Sequence, residues 1–502
     1  MVHKQYDGAK PVSNARLSQA TMTWRWLLGL TLLALIVRII GLNSSLWLDE
    51  IYSVIDQFRL SPVQLFTTFT ADTQHPLYAI LASISMSVFG EHAWSARLPA
   101  LVFGVAAVPA LYFLGRRVGG SRNEALLATA LLALSYHHVW FSQNARGYSA
   151  IAFAAILCTD RFLCLLKDKN RRDIGLYAII AALGCYAHLT MVFIVVGQFI
   201  AFLLWLVFQQ DPKLRISSWQ QPILAFVLSG LLTLLLYAPV FTQVIDFFVN
   251  KPSGMKEIST HAWALAETFR SLSIGWGSGF VVIAGCTTML VGIASFYRRN
   301  KLALGIFVSS IAVTFLVAFF ARGTMYPRFF FFLAGFFLLI GVRGVMVTVV
   351  LCTQWMFHGD DRQKNSERLA IAAMLVVIAV SAFSMMRNYQ YPKMDFEGAR
   401  QWIESQVTAE DVIVTAGVTA LPYNDYYGVN WPEMKTAADI QSVTLGEGGN
   451  LWIVYAFARY MKDEGGAPEV YDIINRDCVD AKHFYGTLGG GAIIACRLQL
   501  NK

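Results

Sequence analysis

Between residues 24 and 386 the chain repeats one pattern: a long apolar run, a short polar turn, then another long apolar run. Crossing a bilayer as a helix takes roughly 17 to 25 predominantly apolar residues, and lysines and arginines gather in the turns on the cytoplasmic side. Runs of that kind lie near residues 24–42, 97–115, 123–140, 149–166, 174–189, 191–208, 222–240, 276–297, 302–320, 329–350 and 369–386. The pattern predicts eleven transmembrane helices. Residues 76–90 are apolar but too few for a comfortable crossing, and counting them as a span would send every later basic turn to the wrong side. Read instead as a helix lying at the outer interface, they leave Arg116–Arg122, Lys167–Arg172, Lys213–Arg215, Arg298–Lys301 and Arg362–Arg368 all cytoplasmic, with the N-terminus.

That threading predicts an all-α polytopic membrane protein. It has a cytoplasmic N-terminal tail over 1–23, a membrane module over 24–386 and an extracytoplasmic domain over 387–502. The outer face carries the segment 43–96, the turns at 141–148, 187–191 and 321–328, and the loop 241–275. From Arg387 the pattern changes. Residues 395–407 have helical spacing (Phe396, Ala399, Trp402, Ile403), while Val412-Ile413-Val414-Thr415 and Leu451-Trp452-Ile453-Val454-Tyr455 read as buried strands, so this last part is a small α/β domain. Its glycine-rich stretches, 446–449 and 489–491, lack phosphate-loop spacing and read as turns.

Composition agrees with the pattern. Hydrophobic residues make up 56% of the chain and charged residues only 14%, well below the quarter usual in soluble domains. The net charge of +8 is scattered in short inter-span clusters rather than gathered on a basic face with interleaved aromatics, which excludes nucleic acid as a partner. The basic start and apolar run at 24–42 resemble a secretory signal, but no small-residue cleavage site follows and many spans do. Cys158, Cys164, Cys185, Cys286 and Cys352 lie in or beside apolar runs without metal-ligand spacing. Cys478 and Cys496 fall in the outward domain, an oxidising compartment on this threading, and are expected to form a disulfide around a hairpin-like segment.

Charge near membrane depth is expensive and points to function. On the outer side it occurs as Asp49-Glu50 directly after the first span, as Arg146, and as Arg322 and Arg328. Adjacent residues of a helix diverge by about 100°, so Asp49 and Glu50 are not expected to share one role. Taken singly, each has a bland reading: a carboxylate pair ends a span in water, His75-Pro76 starts a helix, and an arginine snorkels to the interface. His137 and His138 read as packed or interfacial residues.

The combination is more specific. Trp47-Leu48-Asp49-Glu50, His75-Pro76-Leu77-Tyr78, Phe89-Gly90, Ala96-Arg97-Leu98-Pro99, Phe103-Gly104 and Ser142-Gln143-Asn144-Ala145-Arg146-Gly147-Tyr148, in that order, resemble the GT-C membrane glycosyltransferases. Within that class the set looks like glycosyltransferase family 39, which includes protein O-mannosyltransferases and the aminoarabinose transferase that modifies lipid A. Looser echoes are Arg322-Gly323-Thr324-Met325-Tyr326-Pro327-Arg328 and Met394-Asp395-Phe396-Glu397.

The resemblance implies an inverting transfer of a sugar from a polyprenyl (undecaprenyl) phosphate donor to an acceptor on the periplasmic face of a bacterial inner membrane. It implies Asp49 as general base and Glu50 as a residue orienting the site or the acceptor. His75, Tyr78, Arg146, Tyr148, Arg322, Tyr326 and Arg328 would meet the donor. Lipid bilayer, lipid-linked donor and a glycan, lipid or protein acceptor are the implied partners. No obligatory cofactor is expected; a divalent metal ion bridging donor phosphate and carboxylate is the one addition compatible with the resemblance. The tail lacks the Trp and Arg that related proteins often carry after the acid, and the large inserted loop domain of the eukaryotic mannosyltransferases is missing. A polytopic transporter or flippase, and an inactive scaffold homologue, are the competing classes; a transporter often shows an internal repeat, which this chain lacks.

Overall fold

The computed structural model describes residues 14–69, 74–168, 170–209, 219–250, 261–320, 327–358, 361–462 and 466–499. Up to residue 390 they are almost entirely helical. Among the described residues eight helices are long and apolar enough to cross a membrane, and nine if one bent pair counts as a single span. Six of the eight begin at Gln19, Ala93, Tyr148, Met191, Gln220 and Gly279; the other two run Pro327–Thr353 and Arg362–Gln390. Two further expected spans fall on the helix Arg171–Ala187, which has only 17 residues, and on Lys301–Phe320. The first helix is described from Asn14, ahead of the apolar run at 24–42. The short segment Pro76–Phe89 is a separate 14-residue helix.

Close approach holds the membrane helices together. A Cβ added to Gly292 would sit 2.2 Å from the Ile340 carbonyl, and one added to Gly344 would sit 2.0 Å from the Thr288 carbonyl. The helices Gly279–Arg299 and Ala334–Thr353 therefore touch backbone to backbone, the small-residue packing that substitutes for hydrophobic drive in lipid.

The expected span 123–140 is broken: Arg122–Ala133 and Tyr136–Ser142 meet at 55°. A break leaves carbonyls without their helical donors, which is costly in hydrocarbon. Arg38, fully buried on the first helix, supplies them. Its Nη1 donates to the Ala133 carbonyl (2.9 Å) and its Nη2 to the Leu132 carbonyl (3.2 Å), while Nη2 also meets His138 Nδ1 (2.7 Å) and Nε donates to Ser142 Oγ (3.1 Å).

Charges sort to the two ends of the helical body. At one end Glu124 accepts from Arg299 (2.8 Å) and Arg343 (2.5 Å), and Arg117 donates to Asp160 (2.5 Å), bringing the basic turns at 116–122 and 298–301 together. The segment 42–58, the turn at 143–147, His188 and Arg328 meet at the other end.

The C-terminal domain is a five-stranded sheet. Its strands are β1 (Val412–Ala416), β2 (Glu433–Met434), β3 (Leu451–Ala456), β4 (Cys478–Phe484) and β5 (Ile493–Leu498), ordered β2-β1-β3-β5-β4. β1 pairs in parallel with β2 and β3, and β5 runs antiparallel to β3 and β4. Cys478 and Cys496, on β4 and β5, are joined by a disulfide. Alternation along β3 puts Ile453 and Tyr455 on a face covered by the helix Pro468–Asp477. Trp452, Val454 and Ala456 face the other way, into one core with Phe396 and Ile403 and with Leu46, Trp47, Ile51 and Tyr78 of the outer segment. The domain is thus packed onto the first polar motif rather than tethered beside it.

Candidate functional site

The geometry is set by a fully buried ion pair. Arg97, near the start of the helix Ala93–Arg117, donates from Nε to Glu50 Oε1 (2.8 Å) and from Nη2 to Glu50 Oε2 (2.5 Å), and both side chains have no exposed surface. The rest of the guanidinium reaches the carbonyls of Leu42 (2.9 Å), Ser44 (2.7 Å) and Ser45 (3.0 Å). Glu50 also accepts from the backbone N–H of Ala145 (2.6 Å) and of Trp47 (3.3 Å). Burial alone would raise the Glu50 carboxyl, but Arg97, Lys393 and these hydrogen bonds together hold it below the usual carboxylate range. Glu50 thus ties the segment 42–50, the helix from Ala93 and the turn 143–147 into one unit. Its carboxylate is sealed within this framework.

One residue earlier, Asp49 points elsewhere. Its side chain is 24% exposed, and its Oδ2 lies 3.4 Å from Arg328 Nη1. The divergence expected of helix neighbours is therefore present: one carboxylate sealed, one accessible. Arg328 is the second residue of the 3-10 segment Pro327–Leu333, which leads into the apolar helix Ala334–Thr353.

The turn pinned by Glu50 delivers Arg146, which is 3% exposed. Its Nη1 donates to Ser53 Oγ (3.3 Å), and Ser53 Oγ in turn donates to the Asp49 carbonyl (2.8 Å). Arg146 Nε has no hydrogen-bond partner among the described residues. Beside it three rings gather: His75 and His188 with centroids 4.4 Å apart, Tyr148 at 5.7 Å from His75 and 5.1 Å from His188. Gly147 is required here, because a Cβ would meet the Ala187 carbonyl at 2.3 Å.

Burial, with Arg146 and Arg328 close by, pushes the His188 imidazole down to about 3. His75 is driven well below its ordinary value by burial, by His188 and by the same two arginines. Both rings are neutral at physiological pH, and His75 Nε2 is without a partner among the described residues. The site therefore combines two guanidiniums, two neutral imidazoles, a tyrosine and one accessible carboxylate, a set suited to an anionic ligand flanked by a proton acceptor.

Of the residues singled out in the sequence, Asp49, His75, Arg146, Tyr148 and Arg328 come together. Tyr78 does not. Its ring is buried against Phe58 and its hydroxyl donates to the Ala96 carbonyl (2.8 Å), which makes it a core residue rather than a donor contact. Arg322 and Tyr326 lie outside the described residues. Among the described residues no group of three or more His, Cys, Asp or Glu side chains is arranged to hold a metal ion. Three participants escape the sequence reading: His188, Arg97 as the partner of Glu50, and Lys393. His188, like Arg146, is an ionisable residue in a short outer turn, and that pattern marks it in the sequence.

Residues 73–242 match the family described as Dolichyl-phosphate-mannose-protein mannosyltransferase. That stretch includes His75, Arg146, Tyr148 and His188 and leaves out Asp49 and Arg328. No curated protein matches the chain. Among solved structures, the chain is similar to ArnT from Cupriavidus metallidurans in the apo state, with a TM-score of 0.53, 12% identity, and 94% of this chain and 97% of that one covered. It is similar to the same protein bound to undecaprenyl phosphate, with a TM-score of 0.51 and 12% identity over 94% and 98% of the two chains. At that identity the likeness establishes the fold alone.

Proposed function

We propose that this GT-C-fold membrane protein moves a sugar from a polyprenyl phosphate carrier to an acceptor at the periplasmic face, with inversion at the anomeric carbon and Asp49 as general base. The observation that carries the reading is the contact of Asp49 with Arg328 beside Arg146: one accessible carboxylate at the edge of a buried cationic site. The solved relative with undecaprenyl phosphate bound supports a lipid phosphate as the anion.

In this scheme the acceptor hydroxyl gives its proton to Asp49 while its oxygen bonds to the anomeric carbon. The bond from that carbon to the phosphate oxygen breaks, and polyprenyl phosphate leaves with the electron pair. Arg146 and Arg328 meet the charge that grows on the phosphate. The unpartnered Nε of Arg146 and Nε2 of His75 are donors and acceptors available to the sugar phosphate. Glu50 and Arg97 hold Asp49 and Arg146 in register without touching the substrate. The arginines supply the counter-charge, so no metal ion is required.

The test is sugar transfer in lipid nanodiscs, with a panel of undecaprenyl-phosphate sugars as donors and a native membrane extract as acceptor. Wild type should turn over, with and without EDTA, and Asp49→Asn should not. A folded wild type that turns over no donor would favour a transporter or an inactive scaffold.

A further inference from the structure

Lys393 lies just beyond the membrane module, four-fifths of the way along the chain, yet it reaches the heart of the site. Its side chain is 4% exposed, its Nζ donates to the Gln143 carbonyl (2.5 Å), and the ammonium sits 5.2 Å from the centre of the Trp140 ring. Gln143 opens the turn whose Ala145 N–H holds Glu50 and whose next residue is Arg146. Other bonds converge on the same turn, from the linker and from the first helix. Asn388 Nδ2 donates to Gln143 Oε1 (2.6 Å), and Gln143 Nε2 donates to the Arg38 carbonyl (3.0 Å).

The linker is in turn gripped by the C-terminal domain. The Leu488 N–H donates to the Lys393 carbonyl (3.1 Å) and the Thr487 N–H to the Pro392 carbonyl (2.8 Å). Trp140 Nε1 donates to Thr487 Oγ1 (2.9 Å). Gly486 passes so near that an added Cβ would lie 2.1 Å from the Lys393 carbonyl. Lys393 is therefore the point at which the domain, the linker and the turn are fastened to each other.

We propose that Lys393 is a positioning residue: it clasps the C-terminal domain to the turn 143–147 and so sets Arg146 and the Glu50–Arg97 pair for binding of the donor phosphate. The consequence for the donor rests on the function proposed above; the clasp itself does not. The charged groups facing the ammonium are Arg97, which repels it, and Glu50, which attracts it, while Trp140 and the Gln143 carbonyl complete its surroundings. Burial and Arg97 lower the amine to about 7, so the clasp changes charge near neutrality. Below that pH the buried cluster of Glu50, Arg97 and Lys393 carries one net positive charge beside Arg146; above it the cluster is neutral.

The experiment compares wild type, Lys393→Arg and Lys393→Met in nanodiscs between pH 6 and 9, reading two quantities. Hydrogen exchange of the peptide covering 141–148, corrected for intrinsic rate, reads the clasp without any ligand. Wild type should lose protection as pH rises through about 7. Lys393→Arg should stay protected, and Lys393→Met should be loosened at every pH while the helix Ala93–Arg117 stays as in wild type. Titration with undecaprenyl phosphate reads the consequence. Affinity should fall about fivefold in wild type over the same range, a modest coupling between sites, and stay flat in Lys393→Arg. Equal protection of the turn in all three proteins would overturn the clasp. Absence of undecaprenyl phosphate binding in a wild type whose turn shows the expected exchange would overturn the functional reading and leave the clasp standing.

Discussion

Removing Arg97 tests the division of labour between Asp49 and Glu50 most sharply. Arg97→Met keeps the length and apolar stem of the side chain but leaves the Glu50 carboxylate buried without its guanidinium. The carbonyls of Leu42, Ser44 and Ser45 lose a donor in the same step. Taking one partner from a buried ion pair typically costs about 3–5 kcal/mol. Ala145 N–H and Trp47 N–H remain on Glu50, and Lys393 is near enough to attract it, so the lower end, about 3 kcal/mol, applies here.

The double variant Glu50→Gln, Arg97→Met removes the orphaned charge along with its partner, and should therefore be more stable than Arg97→Met alone. The assay is a denaturant titration in bicelles of wild type, both single variants and the double, read as a double-mutant cycle. An Arg97→Met protein within about 0.5 kcal/mol of wild type, or a double variant less stable than Arg97→Met, would mean that Arg97 does not hold the buried Glu50 charge.

Further outcomes follow from the same geometry. Arg146→Met and Arg328→Met should each weaken binding of undecaprenyl phosphate at least about tenfold, because a charge-assisted hydrogen bond is worth roughly 1.5–3 kcal/mol; unchanged titrations in nanodiscs would place the phosphate elsewhere. Acid should destabilise the outer end of the protein. His188 sits at about 3 in the folded state against roughly 6.5 unfolded, so the unfolded chain takes up a proton first and stability falls as pH drops below about 6.5. His188→Asn should flatten that slope in a pH series of thermal midpoints. Reducing the Cys478–Cys496 disulfide, which closes a sequence separation of 18, should cost the C-terminal domain about 3 kcal/mol, seen as increased proteolysis of the tail under dithiothreitol.

The membrane module was readable because lipid imposes length and apolarity, properties that survive in a one-dimensional pattern. The break near Leu134 was not, since what makes it tolerable is Arg38, almost a hundred residues away, and no local signal announces that partnership. Spans at 174–189 and 302–320 are present as helices, the first with 17 residues at the short end of what a bilayer asks. The site shows the same split. Asp49, Arg146 and Arg328 stand out as charges at membrane depth, and helical divergence separates Asp49 from Glu50. That Tyr78 belongs to the core, that Glu50 is sealed by Arg97, and that Lys393 reaches back to Gln143 depend on how distant segments pack, which residue types and spacing do not record.

Asp49 as general base is tested by sugar transfer from undecaprenyl-phosphate donors by wild type and Asp49→Asn side by side, with undecaprenyl phosphate binding and thermal midpoint recorded for both. Asp49→Asn should bind the lipid phosphate and unfold like wild type but transfer no sugar. Transfer by Asp49→Asn at the wild-type rate would contradict that role, and the general base would have to be sought elsewhere.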